Sequence, residues 1–167
     1  MEQGRQKKIL LTAFRGTSAE VLVKGMRQYK SLIFPNDKVL DSELLTEALE
    51  QEPWDYVISF GQRPNIKDKV HIETTARKAA SHICTSLDWE RMKQVFEQCG
   101  LKVKISENAG TSFCNELYWN GLQFIQEKQL GTKMVFVHVP FEKNVTDMEE
   151  FRGRIENGLG KMIRMLI

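Results

Sequence analysis

No apolar run in this 167-residue chain approaches the roughly 20 residues that a bilayer-spanning helix needs. No secretory leader is expected either, because Ile9-Leu10-Leu11 is far too short for a leader's apolar segment and charged residues precede it closely. Cysteine is scarce and odd in number, three in all, which argues against a disulfide framework and for reduced thiols in a cytoplasmic protein. Neither sign of charge dominates. The 24 basic and 22 acidic residues are interspersed, so no nucleic acid and no membrane surface is expected as a partner, and Arg5, Lys7 and Lys8 read as a solvated lead-in. Metal ligands are thin as well: His82 and Cys84 stand close together without a second pair at ligand spacing, so no metal site is expected. Repeats, low-complexity tracts and linkers are missing, and residues 1–167 read as a single domain with one sizeable core.

What is present is an alternation of strands and helices. Lys8–Phe14 is a short apolar run consistent with a buried strand, and Thr17 with Glu20 forms a capping box for a helix carrying Val21, Leu22 and Met26. Ser31–Phe34 is a second strand, and Asp41 is expected to cap a helix with Leu44, Leu45, Ala48 and Leu49. Asp55–Phe60 follows as a strand, then a polar loop from Gln62 to Asp68, then Lys69–Thr75, whose alternation suits a strand with one exposed face. Val70, Ile72 and Thr74 would face one way, His71 and Glu73 the other. Asp88 caps a helix with Trp89, Met92, Val95, Phe96 and Cys99 on one side, and Gly100 is its stop. Cys84 and Cys99 read as packing residues. Leu101–Ile105 and Lys133–Val139 are strands, and a final helix opens with a capping box from Thr146 to Glu149 and carries Phe151, Ile155, Leu159, Met162 and Leu166. This order predicts an α/β fold, a three-layer α/β/α sandwich around a mostly parallel mixed sheet. Sites in such sheets lie at the carboxyl ends of the strands, where Phe14, Gly61, the loop before Cys114 and His138 all fall.

One stretch stands out. Between Ser106 and Ile125 a loop of small residues runs into a helical pattern with Cys114 in its first turn, and Thr111 or Ser112 can supply the capping oxygen. The backbone N–H groups and dipole at such a start favour an anion, which predicts a lowered thiol pKa. His138 lies near the end of an apolar strand expected at the same edge, and Glu73 on a strand bordering it. Cysteine for attack, histidine to take and return a proton, and a carboxylate to fix the imidazole tautomer are the parts of acyl transfer. Ordinary structural roles are also available, a small buried hydrophobe for Cys114 and a core or edge histidine for His138, and any globular chain offers some cysteine, histidine and glutamate.

Ser106-Glu-Asn-Ala-Gly-Thr-Ser-Phe-Cys-Asn115, with Tyr118 following, resembles the cysteine motif of the type I, intracellular pyroglutamyl peptidases, also called pyrrolidone-carboxylate peptidases. Phe136-Val-His-Val-Pro140 is similar to that family's histidine motif, Ile72-Glu-Thr-Thr-Ala76 sits where its glutamate segment should, and Ile9-Leu-Leu-Thr-Ala-Phe14 resembles its opening strand. The resemblance implies a cysteine peptidase that removes an N-terminal pyroglutamyl residue from peptides without metal or organic cofactor. Cys114 would be the nucleophile, His138 the base and then acid, and Glu73 its orienting partner. Phe14 would pack the substrate lactam and the main chain around Gln62 would read it. Small peptides with a blocked N-terminus would be the partners, and a homo-oligomer is admissible. The chain also departs from the family. Arg15-Gly-Thr-Ser-Ala19 replaces a proline, a second phenylalanine and a glycine pair, so one pocket wall is missing or comes from elsewhere. The arginine that follows the family's glutamate has no counterpart, His82-Ile83-Cys84 occupying that region; Arg63 and Arg77 are the available substitutes, both expected to be surface charges. A long insertion after the glutamate strand is nearly absent. Two alternatives therefore stay open, a cysteine amidase with another acyl preference and a non-catalytic binding domain on the same fold.

Overall fold

The computed structural model describes residues 6–110 and 112–165. Its centre is a six-stranded sheet in the order β2-β1-β3-β8-β4-β7, made of Ile9–Phe14 (β1), Lys30–Phe34 (β2), Tyr56–Arg63 (β3), Lys69–Glu73 (β4), Lys102–Ser106 (β7) and Lys133–Pro140 (β8). Thr75–Lys78 (β5) and Ser81–Cys84 (β6) pair separately as an antiparallel hairpin. The helices are Ser18–Gly25 (α1), Lys38–Gln51 (α2), Trp89–Gln98 (α3), Phe113–Glu127 (α4) and Met148–Met165 (α5). Strand neighbours are parallel except β4 against β8, so the sheet is mixed and mostly parallel, as the alternation of elements predicts.

Apolar residues on both faces of each central strand put a layer of helices on either side. Leu11, Ile58, Val137 and Ile72 pack beneath α1, α3 and α5, while Leu10, Val57, Met134 and Phe136 pack beneath α2 and α4. Since α1 and α2 lie on opposite faces, the chain reverses its winding between β1 and β3, and the carboxyl ends of those two strands are where such sheets hold their binding crevice. Pairing of β1 with β3 ends at Thr12–Ser59, and β3 continues past it to Arg63.

Several local expectations are corrected. α2 begins earlier than Asp41: Asp37 is its cap and accepts from the N–H groups of Val39 and Leu40, while Asp41 is buried in the first turn. α5 is capped by Asp147, because Thr146 is drawn off to hydrogen-bond Asp68. Gln62 and Arg63 belong to β3 and not to a loop, since pairing with Val139 and Pro140 of β8 carries the strand on. Thr75 opens the β5–β6 hairpin, whose tight turn places Ala79 at a φ of 53°. Cys84 is exposed on that hairpin and is not a packing residue. Gly100 does end α3, with a φ of +89° that glycine takes without strain. Thr111 and Leu166 lie outside the described residues. Among the described residues, no helix is long and apolar enough to cross a membrane.

Candidate active site

Alternation along three adjacent strands builds the floor of the site. Gly61 and Arg63 of β3, Phe136 and His138 of β8, and His71 and Glu73 of β4 share the sheet face that α4 covers, with Gly61 in register with His138 and His71 with His138. The face expected to be exposed on β4 is therefore buried: His71 is 5% and Glu73 0% exposed. Because β4 runs against β8, Glu73 lies opposite Phe136 and diagonal to His138, within reach of its ring. The Nδ1 of His138 stands 2.9 Å from Glu73 Oε1, a buried pair. The carboxylate is an acceptor, so the pair is a hydrogen bond when Nδ1 carries the proton, and Nε2 is then the ring nitrogen left without that partner.

The thiol arrives from above. Ser112 is the cap residue of α4 but makes no side-chain capping bond, and Cys114 is the second residue of the helix. Its Sγ lies directly over Gly61: a Cβ built there would come 2.7 Å from Sγ and 2.7 Å from the Phe136 ring. Only a glycine lets the helix settle this close. Since Gly61 is the ladder partner of His138, thiol and imidazole occupy neighbouring positions on one face. Two further bonds lock α4 in place. Tyr118, one turn beyond Cys114, donates from its hydroxyl to the backbone carbonyl of Glu73 at 2.8 Å. Asn115 grips the main chain of Arg77 on β5, accepting from its N–H at 3.0 Å and donating to its carbonyl at 2.7 Å.

The electrostatics differ from the sequence expectation. Burial, and next the charge of Glu73, push the Cys114 thiol up to about 12, outweighing Arg63 and the Cys114 backbone N–H. This favours a neutral thiol over a helix-stabilised thiolate at Cys114, because desolvation exceeds what the first turn of a helix supplies. Burial, with Arg63 as the second cause, lowers His71 from 6.5 to about 4, and neither of its ring nitrogens has a hydrogen-bond partner in the structure. Arg63 is not an ordinary surface charge: its Nη1 donates to Glu73 Oε1 at 2.9 Å and to the Asn108 carbonyl at 3.1 Å. Arg77 is exposed, as expected.

Phe14, at the end of β1, is buried in an aromatic group with Phe34 at 5.7 Å and Phe113 at 6.3 Å, the latter edge-on. Phe113 is 37% exposed at the crevice and immediately precedes Cys114. Its place at the helix start was the available signal for a wall residue. The side chain of Gln62 turns to the opposite face and accepts from the Ser18 N–H at 3.1 Å, so only its main chain remains on the crevice side.

A sequence model described as pyroglutamyl peptidase matches residues 58–154, more than half of the chain and the span that holds Glu73, Cys114 and His138. The chain belongs to the pyroglutamyl peptidase family. Its relatives include a pyrrolidone-carboxylate peptidase of Thermosipho africanus, 25% identical over 84% of this chain and 88% of that protein. Pyrrolidone-carboxylate peptidase 2 of Streptococcus pneumoniae is also 25% identical, over 80% of this chain and 78% of its own length. Among solved structures, pyroglutamyl peptidase I of Bacillus amyloliquefaciens superposes with a TM-score of 0.84 at 17% identity, covering 95% of this chain and 96% of that one. The pyrrolidone carboxyl peptidase of Thermococcus litoralis gives 0.81 at 20% identity, over 96% and 94%. The α/β sandwich is thus the fold of this pyroglutamyl peptidase family member, and its class is that of the cysteine peptidases.

Proposed function

We propose that this family member hydrolyses the amide bond after an N-terminal pyroglutamyl residue of small peptides, with Cys114, His138 and Glu73 as its catalytic residues. The observation that carries the reading is the His138–Glu73 pair at 2.9 Å beside a thiol seated on the ladder partner of His138. The Cys114 proton passes to Nε2 of His138 as sulfur attacks the carbonyl carbon. The carbonyl oxygen takes the displaced electron pair, and backbone N–H groups at the start of α4 stabilise it. Collapse breaks the carbon–nitrogen bond, His138 returns the proton to the departing amine, and an acyl-enzyme remains. Water, deprotonated by the same imidazole, attacks the thioester and releases pyroglutamate and the thiol. No cofactor enters these steps.

The lactam is flat and uncharged, which suits an aromatic slot with main-chain donors and acceptors. Phe14 and Phe113 supply the aromatic faces, and the β3 main chain around Gln62 supplies the polar edge. The three cysteines are free, which suits a reducing, cytoplasmic setting. A second reading, an amidase with another acyl preference, draws on the pocket wall: Arg15–Ala19 carries no phenylalanine, and Phe113, which stands against Phe14 instead, is partly exposed.

The test is release of a fluorescent amine from pyroglutamyl, prolyl, glutaminyl and alanyl amides in reducing buffer, beside Cys114→Ser. Pyroglutamyl-selective turnover that vanishes in the variant is the expected result. Turnover on another acyl group replaces the substrate and keeps the mechanism. A folded protein inert to all four amides would refute the peptidase reading in favour of a binding domain.

A further inference from the structure

Arg63 is the last residue of β3, in register with Pro140, and its side chain crosses β8 to reach β4. One nitrogen, Nη1, carries two hydrogens and makes two bonds: to Oε1 of Glu73, the oxygen that also faces His138, and to the carbonyl of Asn108. Asn108 sits in the loop between β7 and α4 that delivers Cys114. That loop is held internally, Asn108 accepting from the Gly110 N–H at 3.0 Å and the Ser106 hydroxyl donating to the Asn108 carbonyl at 3.2 Å. The guanidinium is its link to the carboxylate beneath.

We propose that Arg63 is a positioning residue, a single cation that shares the Glu73 carboxylate with His138 and moors the loop leading into Cys114, so that base and nucleophile are set by the same group. The proposal rests on the peptidase reading above. Glu73 here serves two partners and not one. Arg63 and His138 meet the same oxygen of Glu73, so the guanidinium holds the carboxylate beneath the imidazole, while its own charge eases ionisation of Cys114. The groups that face this cluster are Glu73 and His71 from β4, His138 from β8, and Cys114 and Tyr118 from α4, with Lys69 and Lys104 bearing on His71 from the rim.

The variants are Arg63→Gln, which keeps a donor and loses the charge, and Arg63→Lys, which keeps the charge. In Arg63→Gln we expect kcat/KM at pH 7 to fall by about tenfold with KM little changed. The acid limb of its pH profile should move up by roughly half to one pH unit, because a cation that opposes imidazolium has gone. Arg63→Lys should hold the limb in place. Should Arg63→Gln not fold, Arg63→Met and Arg63→Lys carry the same comparison, folding being checked by urea melts. A folded neutral variant with an unmoved limb and unchanged kcat overturns the proposal. A second arm needs no turnover: NMR of the imidazoles, only three in the chain, should show the His71 midpoint rising from about 4 in the neutral variant. An unmoved His71 overturns the placement of Arg63. If the unmutated protein turns over no pyroglutamyl amide, the peptidase reading fails by itself. The His71 titration and the alkylation rate of Cys114 then decide whether Arg63 governs the cluster.

Discussion

His71 gives the most quantitative consequence of this site. Its ring is 5% exposed, both nitrogens lack partners, and it stays neutral in the folded protein until about pH 4, whereas an unfolded chain protonates it near 6.5. Between those values the unfolded state binds the extra proton, so stability rises with pH through the window and is lost as pH falls through it. At about 1.4 kcal/mol per pH unit, the whole window is worth roughly 3 kcal/mol, of which about 2 kcal/mol is lost between pH 7 and pH 5. The perturbation is His71→Leu, which puts an apolar side chain on the α4 face of β4, away from Val70 and Ile72, and removes two buried polar atoms. Urea unfolding of both proteins at pH 7, 6 and 5 reads the difference, in which every other titrating group cancels. The leucine variant should match or exceed the parent at pH 7, since removing unsatisfied buried polar atoms is neutral or stabilising. It should then lose about 2 kcal/mol less than the parent by pH 5. Parallel pH dependences would refute the reasoning, because they would mean that His71 is hydrated or partnered in solution.

Other consequences are simpler. Gly61→Ala places a methyl group against Sγ of Cys114 and the Phe136 ring, so it should cost about 1–3 kcal/mol in urea melts and remove most of the kcat; full activity would show that α4 is not seated on this residue. One equivalent of maleimide at pH 7 should label exposed Cys84 ahead of buried Cys114 by peptide mass mapping, and the reverse order would mean that the Cys114 thiol is not raised. Phe14→Ala and Phe113→Ala should each raise KM for a pyroglutamyl amide by roughly fivefold, from about 1 kcal/mol of aromatic packing, with a less than additive double variant because the rings touch. An additive pair, or effects on kcat alone, would take Phe113 out of the pocket.

Most of the architecture was legible because periodicity and caps carry it. The continuous apolar runs of β1 and β8 have the length and β-branched content of strands covered on both faces, and Thr17, Asp88 and Gly100 mark helix ends through bonds that their own side chains or backbone make. Asp41 and Thr146 misled because a good capping residue sits near a better-placed one, and the choice between Asp37 and Asp41 depends on where α2 meets the sheet. The three candidate catalytic side chains were legible from their motifs, and the structure brings them together. Their environment was not. The direction of the Cys114 shift depends on how deeply Gly61 lets the thiol sink, and the role of Arg63 on a strand that continues past its neighbour. Neither is local in sequence.

The reversal of β4 sets how deeply Glu73 is buried. Were β4 parallel to β8, as a plain alternating α/β chain would have it, the carboxyl end of β4 would lie beside that of β8 and Glu73 would stand at the rim, in water. Running the other way, β4 carries Glu73 inward to the level of Phe136, fully buried, where its charge acts on His138, Arg63 and Cys114 at once. The buried carboxylate raises the thiol, while Arg63 and the Cys114 backbone N–H oppose it. Burial of Sγ tips the balance toward the neutral thiol. A helix N-terminus alone would have tipped it the other way. On the proposed mechanism the proton then leaves sulfur during attack, when the carbonyl oxygen has become an acceptor for the N–H groups at the start of α4. Those donors, outweighed at the resting thiol, contribute most in the transition state, which is where a stabilising interaction accelerates the reaction.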